Sequence, residues 1–397
     1  MHYVFISPSL PNSRGKGYQK LLHQRLALLP AGSDITLIVC RKLQEKNYQD
    51  FDLNKDYPKL HIHLIYPKYS FLDAFMLIPR FLLGYPIQVL IHQRQSLNIL
   101  LKEIWRQDSG AHVYCMLSRT FHKNIHLFEC SLLDFVDSMQ LNFERKAGIE
   151  KNIIKKNIYR LEARRMKRWD QIACNNVQEA IVVSELDSDY IGNNKIEIIP
   201  IGVDQYNTKP TKLKNRNGNI AFSGNMNYPP NIEAVKHFVA NCYPQLRERN
   251  KNVEFHIVGR GLPRKVKDQL LKIEGVVVIG EVDDMQLVLS DYPISVAPMR
   301  SGSGMQFKIL ESMSVGTIVV ASKLAAQAFN SYEFGTLYVA ETDQSFVEII
   351  NELFRDIGSL DVAVEKSKVS LQSAYGWDKT ARQLTDLAWF SKIRKSI

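Results

Sequence analysis

Lys308 and Glu311 stand three residues apart behind the turn Ser301-Gly302-Ser303-Gly304. At helical spacing that puts a cation and a carboxylate on one helix face. The turn ends an apolar strand, Pro293–Pro298, and opens an apolar-periodic helix over Met305–Val315 that Gly316 stops. A glycine turn entering a helix aims free backbone N–H groups and the positive dipole end at one spot, which suits a phosphate. Lys308 adds a cation there, and Glu311, about one turn deeper, can accept hydrogen bonds from two vicinal hydroxyls. Phosphate followed by ribose is the layout of a nucleotide.

Three further loops repeat the strand–glycine–helix arrangement. Ser223-Gly224-Asn225, Val258-Gly259-Arg260-Gly261 and Gly280-Glu281-Val282 each follow an apolar run. In a parallel sheet all of these loops fall at one edge, where open α/β sheets bind ligands. Near the N-terminus, Gly15-Lys16-Gly17 lies between the first strand and first helix. It reads as a phosphate-contacting loop or a plain turn, since neither a dinucleotide fingerprint nor a P-loop is complete.

The elements that carry these loops alternate strand and helix twice. Over residues 1–200 strands are expected at Tyr3–Ile6, Ile35–Cys40, Leu60–Leu64, Val113–Met116, Leu132–Val136, Ala180–Ser184 and Lys195–Ile199. The pattern restarts at Asn219–Ser223 and runs to the strand Thr317–Ala321. Pro200–Asn219, polar and Lys/Asn-rich, reads as the linker, and Pro229–Leu246 as one helix. The fold class is therefore α/β, with two doubly wound domains, 1–200 and 201–375, whose strand edges would border a cleft. A last helix from Trp377, within 376–397, is expected to pack back on the first domain.

Composition narrows the function classes. The 397 residues are 45% hydrophobic and 23% charged, as in a folded soluble protein. Five scattered cysteines read as reduced core thiols of a cytoplasmic protein, and no spacing points to a metal. Asp50-x-Asp52 and Asp187-x-Asp189 read as a polar loop and a helix's first turn, not as metal ligands. His112, His122 and His126 read as packing or surface residues. The net charge of +10 concentrates in Arg145–Arg168, where ten basic residues face Glu150 and Glu162 on what reads as one long helix. A solvated face and attraction to an anionic membrane surface both fit, the latter with apolar Phe71–Leu83. Nucleic acid fits least, because Tyr159 is the one aromatic within the run and no reading motif accompanies it.

The segments IAFSGNMNYPPNIEAVKHF, FHIVGRG, VVVIGEVDD and SVAPMRSGSGMQFKILESMSVGTIVVAS stand in an order that resembles glycosyltransferase family 4, retaining enzymes of the GT-B fold. IVVSELDSDYI with IEIIPIGVD is similar to the family's inter-domain stretch, and LLDFVDSMQLNFER and GYPIQV resemble bacterial polysaccharide transferases. The resemblance implies two Rossmann-like domains facing each other across a cleft. It implies transfer of a sugar from a nucleoside diphosphate to a saccharide or lipid-linked acceptor, with retention and without metal or other cofactor. Glu311 would then hold the ribose, and Arg300, Lys308 and the N–H groups of Gly302, Ser303 and Gly304 the diphosphate. Gly259 and Val282 would line the base, Gly224 and Asn225 the donor loop, and Gly15 and Gly17 would approach the donor from the first domain. Asp137 would contact acceptor or donor sugar. Three departures stand out: Ser303 where the family has a second glutamate, Asn225 and Asn227 where it has Arg and Lys, and Val136-Asp137 where it has a histidine. A degenerate nucleotide-sugar binder and a nucleotide-sugar epimerase of the same fold are the alternatives.

Overall fold

The computed structural model describes residues 1–13, 15, 17–40, 59–65, 78–92, 95–204, 206, 212–302, 304–329 and 334–391. The chain divides into one unit of Met1–Pro200 with Ala381–Ile397 and a second of Ile201–Thr380.

In the first unit the strands are β1 (His2–Ser7), β2 (Asp34–Cys40), β3 (Leu60–Ile65), β4 (His112–Met116), β5 (Cys130–Asp134), β6 (Glu179–Val182) and β7 (Ile196–Ile198). They form a seven-stranded sheet of order β3-β2-β1-β4-β5-β6-β7, every pairing parallel. Strands buried on both faces read as continuous apolar runs, and β4 and β5 are buried at every position. The helices are α1 (Gly17–Ala27), α2 (Ile87–His92), α3 (Gln95–Gln107), α4 (Met139–Ile149), α5 (Ile153–Asn175) and α6 (Glu185–Ile191). The expected single basic helix is two. Glu150 is extended at the end of α4, and the Asn152 side chain accepts the Lys155 N–H to start α5. A capping side chain in the middle of a basic run outweighed its helical periodicity.

The second unit repeats the design. Its strands are β8 (Ile220–Ser223), β9 (Phe255–Val258), β10 (Val276–Gly280), β11 (Ile294–Ala297), β12 (Ile318–Ser322) and β13 (Leu337–Ala340), in the order β10-β9-β8-β11-β12-β13. All pairings are again parallel. Its helices are α7 (Pro229–Asn241), α8 (Tyr243–Arg249), α9 (Arg264–Leu270), α10 (Met285–Leu289), α11 (Phe307–Ser314), α12 (Lys323–Ala326), α13 (Asp343–Arg355) and α14 (Asp361–Tyr375). The stretch expected as one helix over Pro229–Leu246 breaks at Cys242, because Pro244 in the next turn removes a hydrogen-bond donor.

The expected linker is only partly one. Its residue Arg216 is buried, donating to the carbonyls of Tyr292 (2.8 Å) and Val315 (3.2 Å) and to Thr317 Oγ1 (3.2 Å). Burial lowers its guanidinium to about 10, with Asp361 the first of several acids opposing.

The last helices are α15 (Trp377–Asp386) and α16 (Ala388–Ser391). α15 begins in the second unit, where a bridge pairs Val203 with Gly376 and Gly202 leaves no room for a Cβ against Trp377. From Ala381 the chain belongs to the first unit.

Candidate functional site

Each sheet reverses its winding once, between β1 and β4 and between β8 and β11. The loops at such a switch point diverge and leave a crevice at the carboxyl edge. In the second unit those are the loops after β8 and β11, which hold Gly224–Tyr228 and Pro298–Gln306.

The glycine loops stack backbone on backbone. The Gly224 N–H donates to Val258 O (3.0 Å), Met226 N–H to Arg260 O (2.8 Å) and Gly259 N–H to Gly280 O (2.6 Å). Gly259 has φ +139°, and a Cβ there would sit 1.8 Å from Gly224 O. No other residue fits, so three loops present main chain rather than side chains. Gly302 and Gly304 also have positive φ, 110° and 72°.

Lys308, in the first turn of α11, is nine-tenths buried and points back under the Gly224 loop. Its Nζ donates to Asn231 Oδ1 (2.8 Å) and lies 3.5 Å from Met299 Sδ and 4.0 Å from the centre of the Phe222 ring. A Cβ added to Gly224 would come within 3.3 Å of that Nζ. Asn231 Nδ2 donates in turn to Asn225 O (2.9 Å), which fixes the amide's orientation toward the lysine. Burial lowers the Lys308 ammonium from 10.5 to about 7, with Glu311 pulling it upward. A buried amine with one amide partner and a polarisable floor is a cation waiting for a counter-ion.

The structure thus brings together Lys308, Glu311, Gly224, Asn225 and Gly259, with Val282 half-buried in the adjoining loop after β10. Arg300 goes elsewhere. Its Nη1 lies 3.0 Å and 3.1 Å from the two ring nitrogens of His237, whose Nε2 is 2.6 Å from Asp343 Oδ1. His237 lies six residues along α7 from Asn231, about 9 Å of helix, so the Arg300 and Lys308 side chains are tied to different stretches of α7. Ser301 Oγ donates to Glu233 Oε2 (3.0 Å), anchoring the same loop to the same helix. Ser303 lies outside the described residues, as does Lys16.

In the first unit, Gly15 packs against Asn12 and Gln19, and Gly17 opens α1. Asp137, half-buried, follows β5 in an unusual turn. Val136 has φ +61°, and the Asp137 N–H donates to Phe135 O (2.7 Å) across it, a strained γ-turn. Leu117, after the neighbouring β4, has φ +68°. Both strained residues hang from Asp134: Leu117 N–H on its carbonyl (2.7 Å), Val136 N–H on its Oδ1 (2.9 Å). Asp134 is itself held by Tyr114 Oη (2.6 Å) and Arg25 Nε (3.3 Å), all three fully buried. Asp187 does sit in the first turn of α6, buried, accepting from Ser138 N–H (2.9 Å). His122 is buried and lowered to about 4, first by desolvation and then by Lys123, and its ring caps a short turn. Sequence reasoning missed Asn231, His237 and Asp134; an Asn or His on an amphipathic helix carries no local signal of a partner 77 or 63 residues away.

Residues 217–356 match the family model "Glycosyl transferases group 1". A Klebsiella pneumoniae protein described as an uncharacterized 44.6 kDa protein in the cps region is 20% identical, the match covering 90% of this chain and 92% of that one. The fold is similar to that of sucrose-phosphate synthase from Thermosynechococcus elongatus (TM-score 0.67, 13% identity, 100% of both chains). It is also similar to Anabaena HepE solved with UDP and glucose (TM-score 0.63, 12% identity, 96% and 98% of the two chains). The chain has the GT-B fold, and its second unit carries the match to the glycosyl transferases group 1 model over residues 217–356.

Proposed function

We propose that the protein transfers a sugar, with retention, from a nucleoside diphosphate to a hydroxyl of a saccharide or lipid-linked acceptor. The observation that carries this reading is the buried Lys308 amine under the Gly224 loop with Glu311 one turn on. In the transfer the bond from the anomeric carbon to the diphosphate breaks, and the diphosphate keeps the electron pair. The acceptor oxygen bonds to that carbon, and its proton goes to the departing phosphate oxygen. Lys308 and the N–H groups of the turn before α11 meet the charge that grows on the diphosphate, so they stabilise the transition state more than the ground state. Glu311 holds the ribose hydroxyls, the main chain at Gly259 and Val282 lines the base, and Asp137 touches a sugar hydroxyl. This assignment gives the leaving group's charge to protein cations and N–H groups, without a metal. The relative from a cps region favours a polysaccharide product.

Donor hydrolysis tests this proposal. A UDP-, GDP- or ADP-sugar incubated with the full chain is expected to release free sugar slowly, and Glu311→Ala to lower the rate at least tenfold. Hydrolysis untouched by Glu311→Ala, or none with any donor or added acceptor, sinks catalysis and leaves at most a binder. Release of an epimerised sugar instead identifies an epimerase.

We also propose that the first unit docks on an anionic membrane face. Ile153 and Ile154 on α5 are 75% and 73% exposed, and Leu82 and Leu83 are both 77% exposed. Arg165 joins the two stretches, stacking 4.2 Å from the Phe81 ring and donating to Phe81 O (3.2 Å). Lys151, Lys155, Lys156 and Arg160 surround the exposed isoleucines. Residues 71–77 of the apolar stretch lie outside the described ones. No helix among the described residues is long and apolar enough to cross a membrane. The protein is expected to float with vesicles containing phosphatidylglycerol and not with phosphatidylcholine alone, and Ile153→Asp with Ile154→Asp to stop it. Indifference to anionic lipid overturns this.

A further inference from the structure

We propose that Arg119, Arg145 and Lys146 form an anion-reading subsite of the first unit, which takes a saccharide bearing a carboxylate or phosphate group. The inference deepens the transferase reading, on which it rests, by naming the acceptor's chemistry.

Arg145 and Lys146 lie on α4 with Asn142, at i, i+3 and i+4, so the three share one helical face. Both cations are half-buried, and desolvation lowers each of them; Asp187 is the first acid to oppose this at Arg145, and Asp137 at Lys146. Arg119, in the turn after β4, is close enough to Lys146 to depress it further. The strained residues Leu117 and Val136 bring Arg119 and Asp137 to this face, because both hang from Asp134.

Several buried side-chain atoms there lack partners, Gln140 Oε1 and Asp170 Oδ1 among them, and two bear on an anion. Arg119 Nε is a donor on a cation, and Asn142 Oδ1 is an acceptor on a side chain only 7% exposed. A hydroxylated anion supplies what each needs, an acceptor for the guanidinium and an O–H donor for the amide. The neighbouring acids do not cancel the cations. Asp170 and Asp187 are each 1% exposed. Burial pushes Asp170 up to about 7 and Asp187 up to about 6, with Asp137 adding to both and the Ser118 and Ser184 hydroxyls opposing. Near neutral pH three cations therefore face Asp137, a mostly ionised Asp187 and a half-ionised Asp170, which leaves a small net positive charge.

The test is titration calorimetry at pH 7 on the full chain carrying Lys308→Met, which keeps phosphates off the second unit. Glucose 1-phosphate and glucuronate are the anionic probes and methyl glucoside the neutral one. At least one anion is expected to bind at least tenfold more tightly than methyl glucoside, and the tighter anion identifies the acceptor's charged group. Lys146→Gln, on a half-exposed helix position, is expected to remove that preference. Equal binding of all three probes, no binding by any, or a preference unchanged by Lys146→Gln overturns the proposal. Stabilisation of the wild-type chain by nucleoside diphosphates is read separately. Its absence overturns the transferase reading and leaves the anion result standing.

Discussion

Replacing Lys308 with methionine is expected to stabilise the free protein at pH 7 while weakening nucleoside diphosphate binding about 10²–10³-fold. The two effects have one cause. Burial lowers the ammonium from 10.5 to about 7, and at about 1.4 kcal/mol per unit that costs the fold on the order of 5 kcal/mol. Methionine fills a similar volume over Phe222 beside Met299, while Asn231 Oδ1 loses its donor at a cost of about 1–2 kcal/mol. A net gain of about 3–4 kcal/mol should remain.

The sign with pH follows from proton binding. Between pH 7 and 10.5 the unfolded lysine holds more proton than the folded one, so this group makes stability rise with pH across that window. The gain from Lys308→Met is therefore full below about pH 7 and vanishes by about 10.5. A bound diphosphate restores the charge, so at pH 8 binding should take up a fraction of a proton, seen as a buffer-dependent calorimetric enthalpy. Urea titrations at pH 7 and 10 measure the stability effect. A destabilised variant at pH 7 would mean the amine is stabilising where it sits.

Trp389→Ala is expected to destabilise the first unit by about 3–5 kcal/mol. The indole is fully buried, with Nε1–H donating to Val113 O (3.0 Å) and the rings of Tyr3, Phe5, His112 and Tyr114 at 5.6–5.9 Å. Glu179 accepts the N–H groups of Ala388 (2.8 Å) and Trp389 (2.7 Å), at the start of the short α16. Four residues of helix thus close a sheet face nearly 280 positions away in sequence. Calorimetry should show the first unit's transition falling while nucleotide still raises the second's. A loss below about 1 kcal/mol would show that the segment is not part of the core.

What the sequence made legible is mostly local. Lys308 and Glu311 three apart predicted one face, and Lys308 and Gly224 do meet under the loop. Glycine turns after apolar runs predicted the loop edge, because parallel strands leave their connections nowhere else to go. Short or weakly patterned elements were missed. β13 is four residues, LYVA. α14 buries only Val364, Ser367 and Leu371 over fifteen residues, too narrow a stripe to read. Arg216 looked like linker charge, since nothing nearby in sequence shows that its partners lie 76 to 101 residues on. Arg300 reads from sequence as a second phosphate cation, and its contact with His237 follows from the path of α7, which only the packed unit defines.

The second unit is expected to hold a nucleoside diphosphate between the Gly224 loop and α11. Thermal unfolding of the full chain with UDP-, GDP- and ADP-sugars tests it most directly, since a ligand that binds only the folded state raises the transition by mass action. A saturable shift is expected with one of the three, lost in Lys308→Met and reduced in Glu311→Ala. No shift with any, or the same shift in Lys308→Met, would contradict it.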